Sequence, residues 1–304
     1  MTNSERLSRR AFVGRTAAIG LVGLTASLPA AVRGQASAPQ GGAWQIGCYT
    51  RPWAKYDYRT AMDAIAAAGF KYLGLMTTNT KSHLILSVAS ALDEAARVGD
   101  EAKRRGLGIV SLYGGDFSVA SRQAAVADLR HLVDLCAAAE AKSLLLAGIA
   151  NPQQFDLYFG AIADGCDYAA EKKIGLTMKP HGGLNPSGPL LRKAAEKVGR
   201  GNFSIWYDAG NILFYSDGKI IPVEDCAAVD GMVTGWCIKD YRHPKRVDVN
   251  PGEGQVDFQA VFARLKKGGF QRGPLVVETL TPGEPKQLLE EAKKARQFVE
   301  RMTA

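Results

Sequence analysis

Short apolar runs alternate along this chain with longer segments whose apolar positions recur at helical spacing, and the alternation repeats eight times from Trp44 onward. The runs cover 44–49, 72–76, 108–113, 143–147, 174–178, 203–208, 233–240 and 275–279, and they read as buried strands. The segments between them predict helices over 58–68, 90–105, 121–140, 152–172, 189–198, 223–229, 258–267 and 285–302. In the third helix, Val126, Leu129, Leu132, Val133 and Cys136 make one apolar stripe. Gly69, Gly106 and Gly268 stop three of the helices. Eight strand–helix units in this length predict a closed α/β barrel, (β/α)8 of the TIM type, as one domain over 39–304. No GxGxxG follows the first strand, which argues against a Rossmann sheet.

Charge changes the picture only at the N-terminus. Of the formal net charge of +8, the first 38 residues contribute five arginines and one glutamate, or +4. The remaining 33 basic and 29 acidic residues are scattered over helical segments, as on a solvated surface, and form no nucleic-acid patch. Residues 1–38 read as a twin-arginine signal peptide. Arg9-Arg10 is followed by Phe12, a Gly- and Ala-rich apolar stretch over 17–31, Arg33 and Ala36-Ser37-Ala38. The expectation is cleavage near Ala38, export to the periplasm and no stable membrane anchor. Five cysteines, Cys48, Cys136, Cys166, Cys226 and Cys237, contain no CxxC and read mostly as buried thiols, with one disulfide left open.

The candidate chemistry lies where the apolar runs end. Lys179-Pro180-His181-Gly182-Gly183 ends the fifth strand, Asp208-Ala-Gly-Asn211 the sixth, Lys239-Asp240 the seventh and Glu278 the eighth. The C-terminal ends of barrel strands are where such folds keep their active sites. A carboxylate that follows several apolar residues needs a cation or a metal beside it, so Lys179, Asp208, Lys239 and Glu278 are expected to meet at one mouth. A purely structural charge network is the plainer alternative. His181 is the only histidine at a strand end; His83 and His131 read as loop and helix residues, and His243 in the loop after the seventh strand is within reach of the mouth. Asn211, Lys239, Asp240, His243 and Glu253 are the substrate-binding candidates. Tyr49, Trp53, Tyr113, Trp206 and Tyr215 suit either sugar faces or core packing.

Tyr207-Asp208-Ala-Gly-Asn211, Ile238-Lys239-Asp240, the Pro251-Gly-Glu-Gly-Gln-Val-Asp257 turn and Val276-Val-Glu278 resemble the xylose isomerase-like TIM-barrel superfamily. Within it, the chain looks similar to exported proteins of the sugar phosphate isomerase/epimerase type. The resemblance implies a small-molecule carbohydrate substrate. It also implies a divalent metal such as Mn, Zn, Mg or Co, held by Glu, Asp, His and Glu on strands five to eight. Asp208 and Glu278 match that pattern, whereas Lys179 stands for the first Glu and Cys237 for the His. Metal binding therefore rests on Asp208, Glu278 and a substitute such as His181, or is replaced by the lysine charge. The superfamily's DNA-repair branch needs a zinc site rich in histidine, and this chain has four histidines.

The chemistry that the resemblance implies is proton transfer next to a carbonyl, with Lys179, Glu278 and His181 as catalytic candidates. Two rivals stand beside this isomerase or epimerase reading. One is a lyase or hydrolase acting on an oxidised glycoside. The other is a non-catalytic sugar-binding barrel with a degenerate metal site. A homo-oligomer is left open.

Overall fold

The computed structural model describes residues 44–115 and 117–304. The signal-peptide expectation over 1–38 lies outside them. Eight parallel strands close in sequence order: β1 Trp44–Tyr49, β2 Tyr72–Leu75, β3 Gly108–Tyr113, β4 Ser143–Leu146, β5 Gly175–Met178, β6 Phe203–Tyr207, β7 Val233–Ile238 and β8 Gly273–Val277. The closing pair is β1 with β8, in register from Trp44 opposite Gly273 to Cys48 opposite Val277. This is the (β/α)8 barrel that the alternation predicts.

Five helices follow the first five strands: α1 Tyr58–Ala67, α2 Leu92–Arg104, α3 Arg122–Ala138, α4 Phe155–Glu171 and α5 Gly188–Val198. The remainder are α6 Ala209–Ser216, α7 Pro222–Asp225, α8 Phe258–Lys267 and α9 Pro285–Thr303. Their ends carry ordinary caps. Asp57, Ser121 and Asp257 accept from Arg59, Ala124 and Ala260 N–H, each worth about 1 kcal/mol. Glu284 and Gln287 form a capping box on α9. The helix expected over 223–229 is instead the short α7 followed by a 3-10 turn, Cys226–Val229. Among the described residues no helix is long and apolar enough to cross a membrane. All five cysteines are buried free thiols.

Two apolar layers hold the strands. The larger lies between strands and helices, and the smaller fills the barrel with Tyr49, Met76, Val110, Leu145, Trp206, Cys237 and Val276. Tyr49 and Trp206 are therefore core residues and not sugar platforms, and Trp53 is equally sealed. The Tyr49 ring lies over Gly74, where an added Cβ would sit 2.2 Å from it. Only glycine at that position leaves room for the ring to fill the barrel.

Candidate functional site

The parity of this inner layer decides which side chains reach the mouth. Side chains two apart on a strand share a face. Trp206, Cys237 and Val276 point inward, so Asp208, Lys239 and Glu278 stand one layer above them at the C-terminal end. Arg51 opens a 3-10 turn, Arg51–Trp53, just after β1, and Lys179 follows the last residue of β5. The four residues expected at the mouth do meet there.

They form a closed ring of charge. Lys179 Nζ lies 2.5 Å from Glu278 Oε2 and 3.4 Å from Asp208 Oδ2. Lys239 Nζ lies 2.7 Å from Glu278 Oε1 and 3.2 Å from Asp208 Oδ2. Each carboxylate bridges both ammonium groups. A third cation joins from the turn after β1, where Arg51 Nη1 reaches Glu278 Oε1 at 2.7 Å. Lys179 and Lys239 are 3% and 2% exposed, and Asp208 and Glu278 are sealed. At this depth, removing one of the two carboxylates strands the cations, at a cost of about 3–5 kcal/mol.

Two asparagines and a glycine set the geometry. Asn211 donates its backbone N–H to Asp208 Oδ1, accepts from Lys239 Nζ at 2.9 Å and donates Nδ2 to Pro180 O at 2.7 Å. It thereby ties the ends of β5, β6 and β7 together, with its side-chain oxygen and nitrogen both engaged. Asp208 is the N-cap of α6, a helix that the weak helix formers Gly210 and Asn211 conceal in the sequence. A Cβ on Gly210 would fall 2.6 Å from Lys239 O, so the glycine lets α6 start against β7. Asn185 donates Nδ2 to Ala147 O and Lys179 O, fixing the backbone of Lys179.

The ring splits the acidities of its members. Burial opposes the charge on Lys179, but Glu278 above all holds its pKa above the usual lysine value. Burial, Lys179 and Arg51 together outweigh the two carboxylates at Lys239 and lower its pKa. Burial also works against Glu278, yet the three cations press its pKa well below the carboxylate range. Asp208 goes the other way, raised chiefly by burial. His181 is half-buried, and burial together with Lys179 and Lys239 lowers its pKa to about 4. It is neutral at physiological pH, with Nε2 lying 3.2 Å from Tyr215 Oη.

The remaining candidates separate from the ring. Both oxygens of Asp240 are spent on backbone N–H groups of Tyr241, Gly252, Gly254 and Val256. It shapes the loop after β7 and has no oxygen left for a substrate. Glu253 is an exposed residue of that loop. His243 lines a cavity of about 440 Å³ with Leu213, Ile221, Tyr241 and Gln255, and none of the ring residues lines it. His131 bonds Ser90 O from its helix. Arg51 and Asn185 escape the sequence reading. Arg51 has the same signal as the others, a charge just past an apolar run, but in a run whose end reads as loop.

The donor set does not suit a divalent metal as it stands. Asp208, Cys237 and Glu278 hold potential ligand atoms within 4.8 Å of one another, and His181 is not in that group. Asp208 Oδ2 and both Glu278 oxygens already accept from ammonium or guanidinium groups. A dication there would meet two lysine charges. Burial raises the Cys237 thiol well above its ordinary value, so it is protonated, whereas a metal needs thiolate. His181, the expected substitute ligand, is turned to Tyr215.

Comparison with known proteins follows the fold. Residues 62–302 match the family model described as the xylose isomerase-like TIM barrel. A D-allulose 3-epimerase from Methylomonas sp. superposes with a TM-score of 0.66 at 19% identity, covering 86% of this chain and 98% of the other. A D-psicose 3-epimerase from Clostridium cellulolyticum H10, solved with D-tagatose, gives 0.68 at 12% identity, covering 85% and 99%. A xylose isomerase domain protein from Planctomyces limnophilus gives 0.65 at 19% identity, covering 86% and 98%. Among curated proteins none matches the sequence.

Proposed function

The chain belongs to the xylose isomerase-like TIM barrel family, and on that footing we propose that it is a carbohydrate isomerase or epimerase that moves a proton next to a carbonyl. The observation that carries this reading is the pair Lys179 and Lys239, fixed on Asp208 and Glu278 at the barrel mouth beside a neutral histidine. The 3-epimerase neighbours support the reaction class.

Taking a proton from the carbon beside a carbonyl builds negative charge on the carbonyl oxygen. Positive charge already oriented for that oxygen lowers the barrier without reorganisation. In this proposal the lysine pair supplies that charge in place of a metal. His181 takes the proton. In the tautomer that donates Nε2–H to Tyr215, Nδ1 carries the free lone pair. A base with a pKa of about 4 is weak, so the lysine-held oxygen must carry most of the barrier reduction. Glu278, with both oxygens bonded to cations, serves as their counter-ion and not as the base.

The test is deuterium exchange. Ketoses incubated with the protein in D2O and EDTA are followed by NMR at the carbon beside the carbonyl. Exchange that disappears in His181→Asn and Lys179→Met supports the reading; exchange restored only by added metal contradicts it. Binding without turnover is the second reading, favoured by the burial of both lysines. Export through the twin-arginine pathway is part of the proposal, and N-terminal sequencing of the periplasmic protein would check it.

A further inference from the structure

The ring does not balance. Arg51, Lys179 and Lys239 bring three positive charges to two carboxylates, Asp208 and Glu278. Asp248 adds a further negative charge near Arg51, but it is exposed. One positive charge is thus left over at the bottom of the mouth, where an unpaired buried charge is costly. It is also placed: Lys179 and Lys239 are sealed, whereas the Arg51 side chain is 34% exposed. Its Nη1 is spent on Glu278, and among the described residues no hydrogen bond engages its Nε or Nη2. Planar donors left free on a guanidinium match a carboxylate.

We infer that this site takes a carbonyl sugar that also carries a carboxylate, and that Arg51 is the residue that holds the carboxylate. The inference rests on the proton-transfer reading above and narrows its substrate class from neutral sugars to sugar acids. Arg51 is a specificity residue here, distinct from the lysines that face the developing oxyanion.

Calorimetric titration of the full protein tests it with matched pairs, D-fructuronate against D-fructose and D-tagaturonate against D-tagatose. Each pair differs at the carboxylate. The expected result is about tenfold or more tighter binding of the acid, weakening as salt is raised. Arg51→Gln should bring acid and neutral sugar close together, and Arg51→Lys should restore part of the difference. Arg51→Gln leaves two cations on two carboxylates, so it should fold; the wild-type preference is decisive even without it. Equal affinities within each pair, an unchanged preference in Arg51→Gln, or no binding of either acid would overturn the inference. Neutral ketoses exchanging deuterium without any preference for acids would overturn it and leave the isomerase reading in place. Acids bound with preference but never exchanging deuterium would support it and overturn the isomerase reading.

Discussion

Lys179 and Glu278 are 99 residues apart in sequence and 2.5 Å apart at the barrel mouth. Each is fixed by a strand end, β5 for one and β8 for the other. The contact is therefore a property of barrel closure rather than of either segment.

The charge count makes the two partners unequal. Glu278→Gln leaves three cations facing Asp208 alone, whereas Lys179→Met leaves two cations on two carboxylates. The first should cost about 3–5 kcal/mol, and the second less than about 2 kcal/mol. Urea unfolding at neutral pH measures both; equal losses would mean that the ring is not short of negative charge.

His181 should show in the acid limb of stability. Its folded pKa of about 4 lies below the ordinary 6.5. The fold therefore favours the neutral ring, a contribution fully present above about pH 6.5 and lost as pH falls through about 4. Glu278, also depressed, adds a loss that begins lower, below the ordinary carboxylate value. Subtracting the urea-midpoint curve of His181→Asn from that of the wild type should isolate a decline between pH 6.5 and 4. A flat difference would contradict the environment assigned to His181.

The eight strand–helix units and the charge at four strand ends are legible in the sequence, because both follow from short-range pattern. Arg51 is not legible as a partner of Glu278, since the pair spans 227 residues and depends on β1 closing against β8. Asp240 looks like a ligand residue from its place beside Lys239. Only the folded loop shows its oxygens turned to four backbone amides. Helix α6 hides behind Gly210 and Asn211, whose helix propensity is poor. The cap from Asp208 and the burial of Ile212 and Leu213 outweigh it.

Asp240→Asn should therefore act on the loop and not on the chemistry. The Gly252, Gly254 and Val256 amides should exchange hydrogen about tenfold faster or more as their charged acceptor is lost. Stability should fall by about 1–3 kcal/mol. Hydrogen exchange read by mass spectrometry over this loop checks it; unchanged protection would mean that other contacts hold the loop.

In the proposed reaction, His181→Asn should lower the rate of deuterium exchange next to the carbonyl by about 10²–10⁴-fold while leaving binding nearly unchanged. Single-turnover exchange at saturating sugar separates the two. A rise in KM with an unchanged rate would assign His181 to binding.

In the proposed reaction Lys179 and Lys239 occupy the place of a metal. Metal content of the protein, purified without a metal-affinity tag and compared with Asp208→Ala, is the deciding measurement. No stoichiometric metal is expected in either protein, and exchange activity should survive EDTA. One Mn, Zn or similar ion per wild-type chain, lost in Asp208→Ala together with activity, would contradict it.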